Sequence, residues 1–400
     1  MSIPAALARR RDYVGPPLFS YGFRPFFLGA GVWSAAALAV WVFAYVGEIA
    51  LPIEMPPLDW HMHEMIYGYV AAVIAGFLLT AIPNWTGRLP VNGWPLAALA
   101  ALWLAGRAAI FCAASIGAPA AAAIDVSFLA VLAFTALREI VGGKNWHNLR
   151  VLAVLAVLVA ANVVWHWELI RHGAGDYGPR MALGAVIVLI TLIGGRIIPS
   201  FTRNWLARAN PGRLPRPVSR FDMLAVAAGA VALAAWVIFP DHSATGAALL
   251  IAGVIHVVRL ARWAGDRTLA DRLVLVLHVA YAFIPAGFLL VGAAVLWPDH
   301  VATTAGIHAW TAGGIGLMTL AVMTRATLGH TGRPLAASAA TQAIYALTLL
   351  AALLRIIAAL SGSMLLLDIA ALAWVAGFLG FALVYGPMLL RARRSAGGAR

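Results

Sequence analysis

Apolar runs of about 20 residues recur along this chain from its first third to its end, separated by short polar or Gly/Pro-rich breaks. A run of that length crosses the hydrocarbon core of a bilayer as an α-helix. Twelve are predicted, roughly 23–47, 62–83, 95–116, 119–139, 148–168, 178–198, 220–239, 244–264, 270–293, 302–324, 337–360 and 364–390. The expected fold class is therefore an all-α polytopic membrane protein, a single integral domain over 1–400.

Two patterns suggest internal repetition. Tyr21-Gly-Phe23-Arg-Pro25 opens span 1 and Tyr281-Ala-Phe283-Ile-Pro285 recurs in span 9. His63 precedes Thr86-Gly87-Arg88 by 23 residues, and His308 precedes Thr331-Gly332-Arg333 by 23, so one offset of 245 relates both features. Gly194-Gly195-Arg196 at the end of span 6 is a weaker echo. Three four-helix units about a pseudo-threefold axis are expected, roughly 19–140, 145–264 and 270–394; parallel repeats about a membrane normal are a known membrane architecture.

Composition agrees with the apolar pattern: 63% of residues are hydrophobic, 11% are charged, and the mean hydropathy is +0.89. Lys and Arg exceed Asp and Glu by 28 to 15. Placing both termini and the even-numbered loops in the cytoplasm puts 24 of the 28 cations inside, leaves Arg171 and Arg180 outside, and buries Arg107 and Arg355. That asymmetry follows the positive-inside rule. The net charge of +13 thus reflects topology and lipid headgroups, not a nucleic-acid partner. No cleavable signal is read at the N-terminus, where Arg9, Arg10 and Arg11 precede the first span.

One cysteine, Cys112, rules out covalent haem attachment, a thiolate pair, an iron–sulfur cluster and an internal disulfide. No Walker A sequence occurs, and Tyr67 stands where a second histidine would complete a zinc-protease motif after His63-Glu64. Histidine must carry any metal, and eleven are present. An ionisable group within a span costs roughly 2.5 kcal/mol or more unless paired, so intramembrane imidazoles point to function. His61, His63, His166 and His308 fall near the outer ends of their spans. His256 and His278 fall deeper, each roughly 12 Å from the inner end, where antiparallel neighbours could meet.

Imidazole binds haem iron and copper, and each ligand needs a second group to orient it. His63 and His308 are the expected haem ligands, and His61 and His166 the expected copper ligands, with His278 and His256 next in line. Glu64, Glu168 and Asp125 are candidate proton carriers. Arg107 and Arg355 could bind haem propionates or pair with Asp125 and Asp368, since a guanidinium takes a carboxylate in bidentate fashion.

Six segments carry a resemblance to a known family: FSYGFRPFFLGAG (19–31), DWHMHEM (59–65), GFLLTAIPNWTGR (76–88), GGRIIPSFTRN (194–204), LHVAYAFIPAGFLLVG (277–292) and VMTRATLGHTGRP (322–334). Together they resemble the NnrS family of bacterial inner-membrane proteins over nearly the whole chain. The resemblance implies twelve spans, haem (b-type and non-covalent by our reading) and copper, and a role in denitrification and the nitric oxide response. Two activities are then expected as alternatives. One is binding and reduction or detoxification of nitric oxide, which requires an external electron donor; the other is a carrier, sensor or transporter of haem, copper or a nitrosyl species.

Overall fold

The computed structural model describes residues 13–393. All regular structure in them is helical, as a chain of this hydropathy requires: in lipid each backbone amide must find its partner within its own segment. Twelve helices are long and apolar enough to cross a membrane. We label them α1 (Phe23–Tyr45), α2 (Pro57–Thr86), α3 (Trp94–Phe111), α4 (Ala118–Gly142), α5 (Trp146–His172), α6 (Tyr177–Ala209), α7 (Arg220–Ile238), α8 (Ser243–Arg267), α9 (Arg272–Leu296), α10 (Thr303–His330), α11 (Ala339–Ser361) and α12 (Met364–Leu390).

Each predicted span matches one helix, with informative differences at the ends. The helix α6 runs past its apolar stretch through Arg196, Arg203 and Arg208, so its C-terminal end is polar. The third span breaks at Cys112, after which a short helix, Ala113–Ile116, leads to the turn at Gly117. Both Thr-Gly-Arg motifs are turns: Gly87 (φ 69°) and Gly332 (φ 74°) adopt the left-handed conformation that a side chain with a Cβ disfavours.

The described residues pack as two compact units, one of residues 13–182, 326–334 and 381–393 and the other of 183–325 and 335–380. Their boundaries fall within α6, α10 and α12 and in the loop between α10 and α11; the three-unit arrangement stays an expectation. In the first unit α1 packs on α2, α3 on α4, and α4 on both α2 and α5. In the second, α8 packs on α7 and α9, and α10 on α9 and α11. The most enclosed helices are α2 and α10, in whose most apolar stretches 83% and 78% of residues are buried. Both contain π-helical segments, Glu64–Val70 and Ala309–Leu317.

Part of the motif opening α1 is architectural. The buried Arg24 donates from Nη1 to the carbonyls of Leu389 and Arg391, each at 2.7 Å, and so satisfies the C-terminal end of α12. Tyr21 Oη donates to the Thr80 carbonyl on α2 at 3.1 Å.

Candidate metal centre

Five helices of the first unit deliver polar side chains to one buried cluster. Arg107 on α3 and Asp125 on α4 lie on either side of the Gly117 turn, at similar distances along the chain, so the α3–α4 hairpin sets them level. Gly106 lets the two helices approach, since a Cβ there would stand 3.3 Å from the Asp125 backbone. Arg107 Nη2 pairs with Asp125 Oδ1, and Arg107 Nη1 with Glu64 Oε1 at 2.7 Å. Asn162 and His166 are four residues apart on α5 and share a face. Asn162 Nδ2 donates to Asp125 Oδ2 at 2.8 Å, and His166 Nε2 lies 3.1 Å from that same oxygen.

His63 is fully buried at the centre of this set. Its Nδ1 lies 3.2 Å from Glu64 Oε1, and its Nε2 lies 3.2 Å from Asp125 Oδ2 and 3.3 Å from Asn162 Oδ1. Glu64 can only accept, so His63 Nδ1 carries a proton and donates it. A neutral ring would then aim the bare lone pair of Nε2 at two oxygens. A positive centre belongs at that point, as a proton on Nε2 or a metal ion. The charge balance agrees: two carboxylates face one guanidinium, and the remaining negative charge would be costly to leave bare in a membrane.

The donor set fits a small ion. His63, Asp125 and His166 each offer one ligand atom, and these atoms lie within 4.8 Å of one another. Ligands about 2.0–2.1 Å from a tetrahedral ion stand about 3.3 Å apart, close to the 3.1 and 3.2 Å separating the two imidazole nitrogens from Asp125 Oδ2. Two imidazoles and one carboxylate suit a first-row transition metal. A porphyrin does not fit the same nitrogen: Asp125 and Asn162 face it, and Tyr67 and Trp165 close on the ring at centroid distances of 4.9 and 5.5 Å.

The remaining expected site residues are placed elsewhere. His61 lies on another side of α2, stacked on Trp41 at 4.1 Å, while His166 joins His63. Glu168 accepts from the backbone N–H groups of Asp176, Tyr177 and Gly178 at 2.9, 2.8 and 3.0 Å, which anchors the start of α6. In the second unit His256 Nδ1 is 2.9 Å from Tyr281 Oη and its ring stacks on Phe288 at 5.5 Å. His278 Nε2 is 2.8 Å from Thr202 Oγ1. Arg259, on α8 with His256, pairs with Asp222 at 3.2 Å and donates to Tyr281 Oη at 3.0 Å. His308 Nδ1 is 2.7 Å from the Thr304 carbonyl, and Arg355 is half-buried on α11.

Two contributors to the cluster are absent from the sequence reading. Asn162 stands one helical turn before His166, a spacing that marks a shared face. Trp33 donates from Nε1 to Glu64 Oε2 at 2.7 Å, and nothing in the sequence around an apolar tryptophan signals that bond.

The sequence model of a protein family described as NnrS protein matches residues 17–393. No curated protein matches the chain. No solved structure matches it either.

Proposed function

Because the chain belongs to the NnrS family, we propose that it is an inner-membrane protein of the nitric oxide response whose His63–Asp125–His166 cluster holds one copper ion and handles nitric oxide. The observation that carries this reading is the convergence of two imidazole nitrogens and a carboxylate oxygen around a point that needs positive charge. The site lies in membrane-spanning helices, where an uncharged, sparingly polar gas arrives through lipid while ionic competitors are excluded. Copper, when bound, supplies one-electron redox chemistry and affinity for the gas.

The protein's own groups prepare the place. Glu64 holds the His63 ring through Nδ1, so that Nε2 faces inward. Arg107 balances both carboxylates, and Trp165 and Tyr67 keep bulk water from the imidazole. Reduction of two nitric oxide molecules to nitrous oxide consumes two electrons and two protons, and a separate donor must supply the electrons. Asp125 contacts both imidazoles and pairs with Arg107, so it is the carboxylate that would hold the ion together with His63 and His166.

Metal analysis of the purified chain, with a nitric oxide electrode under reducing conditions, tests the reading. We expect about one copper per chain, its loss in His63→Ala and His166→Ala, and nitric oxide consumption that falls with it. Copper binding with gas binding but no consumption leaves a carrier or sensor. Full copper in both variants overturns the site.

A further inference from the structure

Two of the segments that carry the family resemblance, 194–204 and 322–334, take no part in the metal centre, and they meet in the second unit. The guanidinium carbon of Arg325 on α10 lies over the ring of Phe201 on α6, 4.2 Å from its centroid. Other arginines buried in the helices are committed within the fold: Arg24 to the end of α12, Arg107 to Glu64 and Asp125, Arg259 to Asp222. Arg325 differs. Its Nη1 is enclosed without a hydrogen-bond partner, and the side chain makes no hydrogen bond or ion pair to any described residue. The carboxylate within electrostatic reach, Asp271, is occupied: its Oδ1 accepts from the N–H groups of Leu273 and Val274 at 2.9 and 3.2 Å and caps α9.

A guanidinium half withdrawn from water with no counter-ion is costly. The Phe201 ring against one face offsets part of that cost. An arginine that only snorkels keeps its whole head in water, whereas here Nη1 is sealed and Nε and Nη2 form the open edge. That edge carries two parallel N–H donors, the fork that takes two oxygens of one oxyanion.

Depth selects the ligand. Trp205 stands one turn beyond Phe201, half-buried, where α6 turns polar through Arg203 and Arg208. Tryptophan at such a junction marks the headgroup level. The abundant oxyanion at that level is phosphate, on lipid headgroups or free in the adjoining water. We propose that Arg325 binds a phosphate group through its Nε–Nη2 edge, on a membrane lipid or as a free ion. The site lies wholly in the second unit and is independent of the copper and nitric oxide reading. It is also distinct from the basic loop after α6, whose cations have protein partners, as Arg213 has Asp266.

The test uses the full chain in a neutral maltoside detergent, washed free of lipid. The probes are dioleoyl phosphatidylglycerol and inorganic phosphate, the latter compared with chloride at equal ionic strength. Native mass spectrometry counts retained lipid, and the shift in unfolding temperature gives the affinity for each probe. Arg325→Gln should weaken binding at least about 10-fold, as expected for losing hydrogen bonds from a charged group. Arg325→Lys keeps the charge without the fork and should lose about 2- to 10-fold. Arg213→Gln should bind as the unmodified chain does. Circular dichroism checks that each variant is folded, and Arg325→Lys carries the test where Arg325→Gln does not fold. Arg325-dependent binding of the lipid alone assigns the site to a headgroup; Arg325-dependent binding of inorganic phosphate, alone or in competition with the lipid, assigns it to the free ion. No binding of either probe by the unmodified chain, unchanged affinity in the Arg325 variants, or an equal loss in Arg213→Gln overturns the proposal.

Discussion

At the scale of single residues, the cluster is organised by its carboxylates. Glu64 Oε1 receives Arg107 and His63, and Oε2 receives Trp33. With three donors on two oxygens, we propose for it a positioning role beside the expected proton-carrier role, and the two separate on substitution. Glu64→Gln preserves shape but removes the charge opposite a buried guanidinium. Metal affinity should fall about 10- to 100-fold, and the metal-free protein should lose about 3 kcal/mol of stability, in the range for breaking a buried ion pair. Metal titration and thermal inactivation measure the two effects. Unchanged affinity with slowed turnover would favour the proton-carrier role.

At the scale of elements, Glu168 illustrates how a functional expectation from sequence meets a structural answer. Two residues from His166 in an apolar span, its charge suggested chemistry. Its oxygens instead collect three backbone N–H groups at the start of α6, groups that no earlier turn of that helix can satisfy. Glu168→Ala should destabilise the protein by at least about 2 kcal/mol. Copper stoichiometry in the surviving protein should be retained, since Glu168 touches none of His63, Asp125 and His166. A stable variant would remove the anchoring role.

The elements also show what was legible beforehand. All twelve spans were, because lipid forces each apolar run to satisfy its own backbone. That His63, His166, Asp125 and Arg107 need buried partners was legible, since charge in an apolar helix must find a partner. Their grouping was not: His61 and His63 look alike in sequence, and only rotation about α2 sends one to Trp41 and the other to Asp125. The π-helical segments left no mark on hydropathy. The 245-residue offset was the sole trace of the framework they share.

At the scale of the whole molecule, the positive-inside rule predicts an orientation across the membrane from the charge distribution. The cations of the loop between α6 and α7 are held in place, not loosely scattered: Arg203 donates to the Pro215 carbonyl at 2.8 Å, Arg213 pairs with Asp266 at 2.5 Å, and Arg267 donates to Asn210 and Pro211 at 3.0 Å. We propose that this ordered, arginine-rich loop lies against anionic headgroups on the cytoplasmic side. On that orientation the start of α2 and the end of α5, which carry His63 and His166, face the periplasm, and the proposed copper site with them. Alkaline phosphatase, active only after export, should therefore be inactive when fused after Arg393 or within 210–219, and active when inserted in the α5–α6 loop at Ala174. The reverse pattern would invert the protein and turn the copper site to the cytoplasm, where the electron donor would have to be sought.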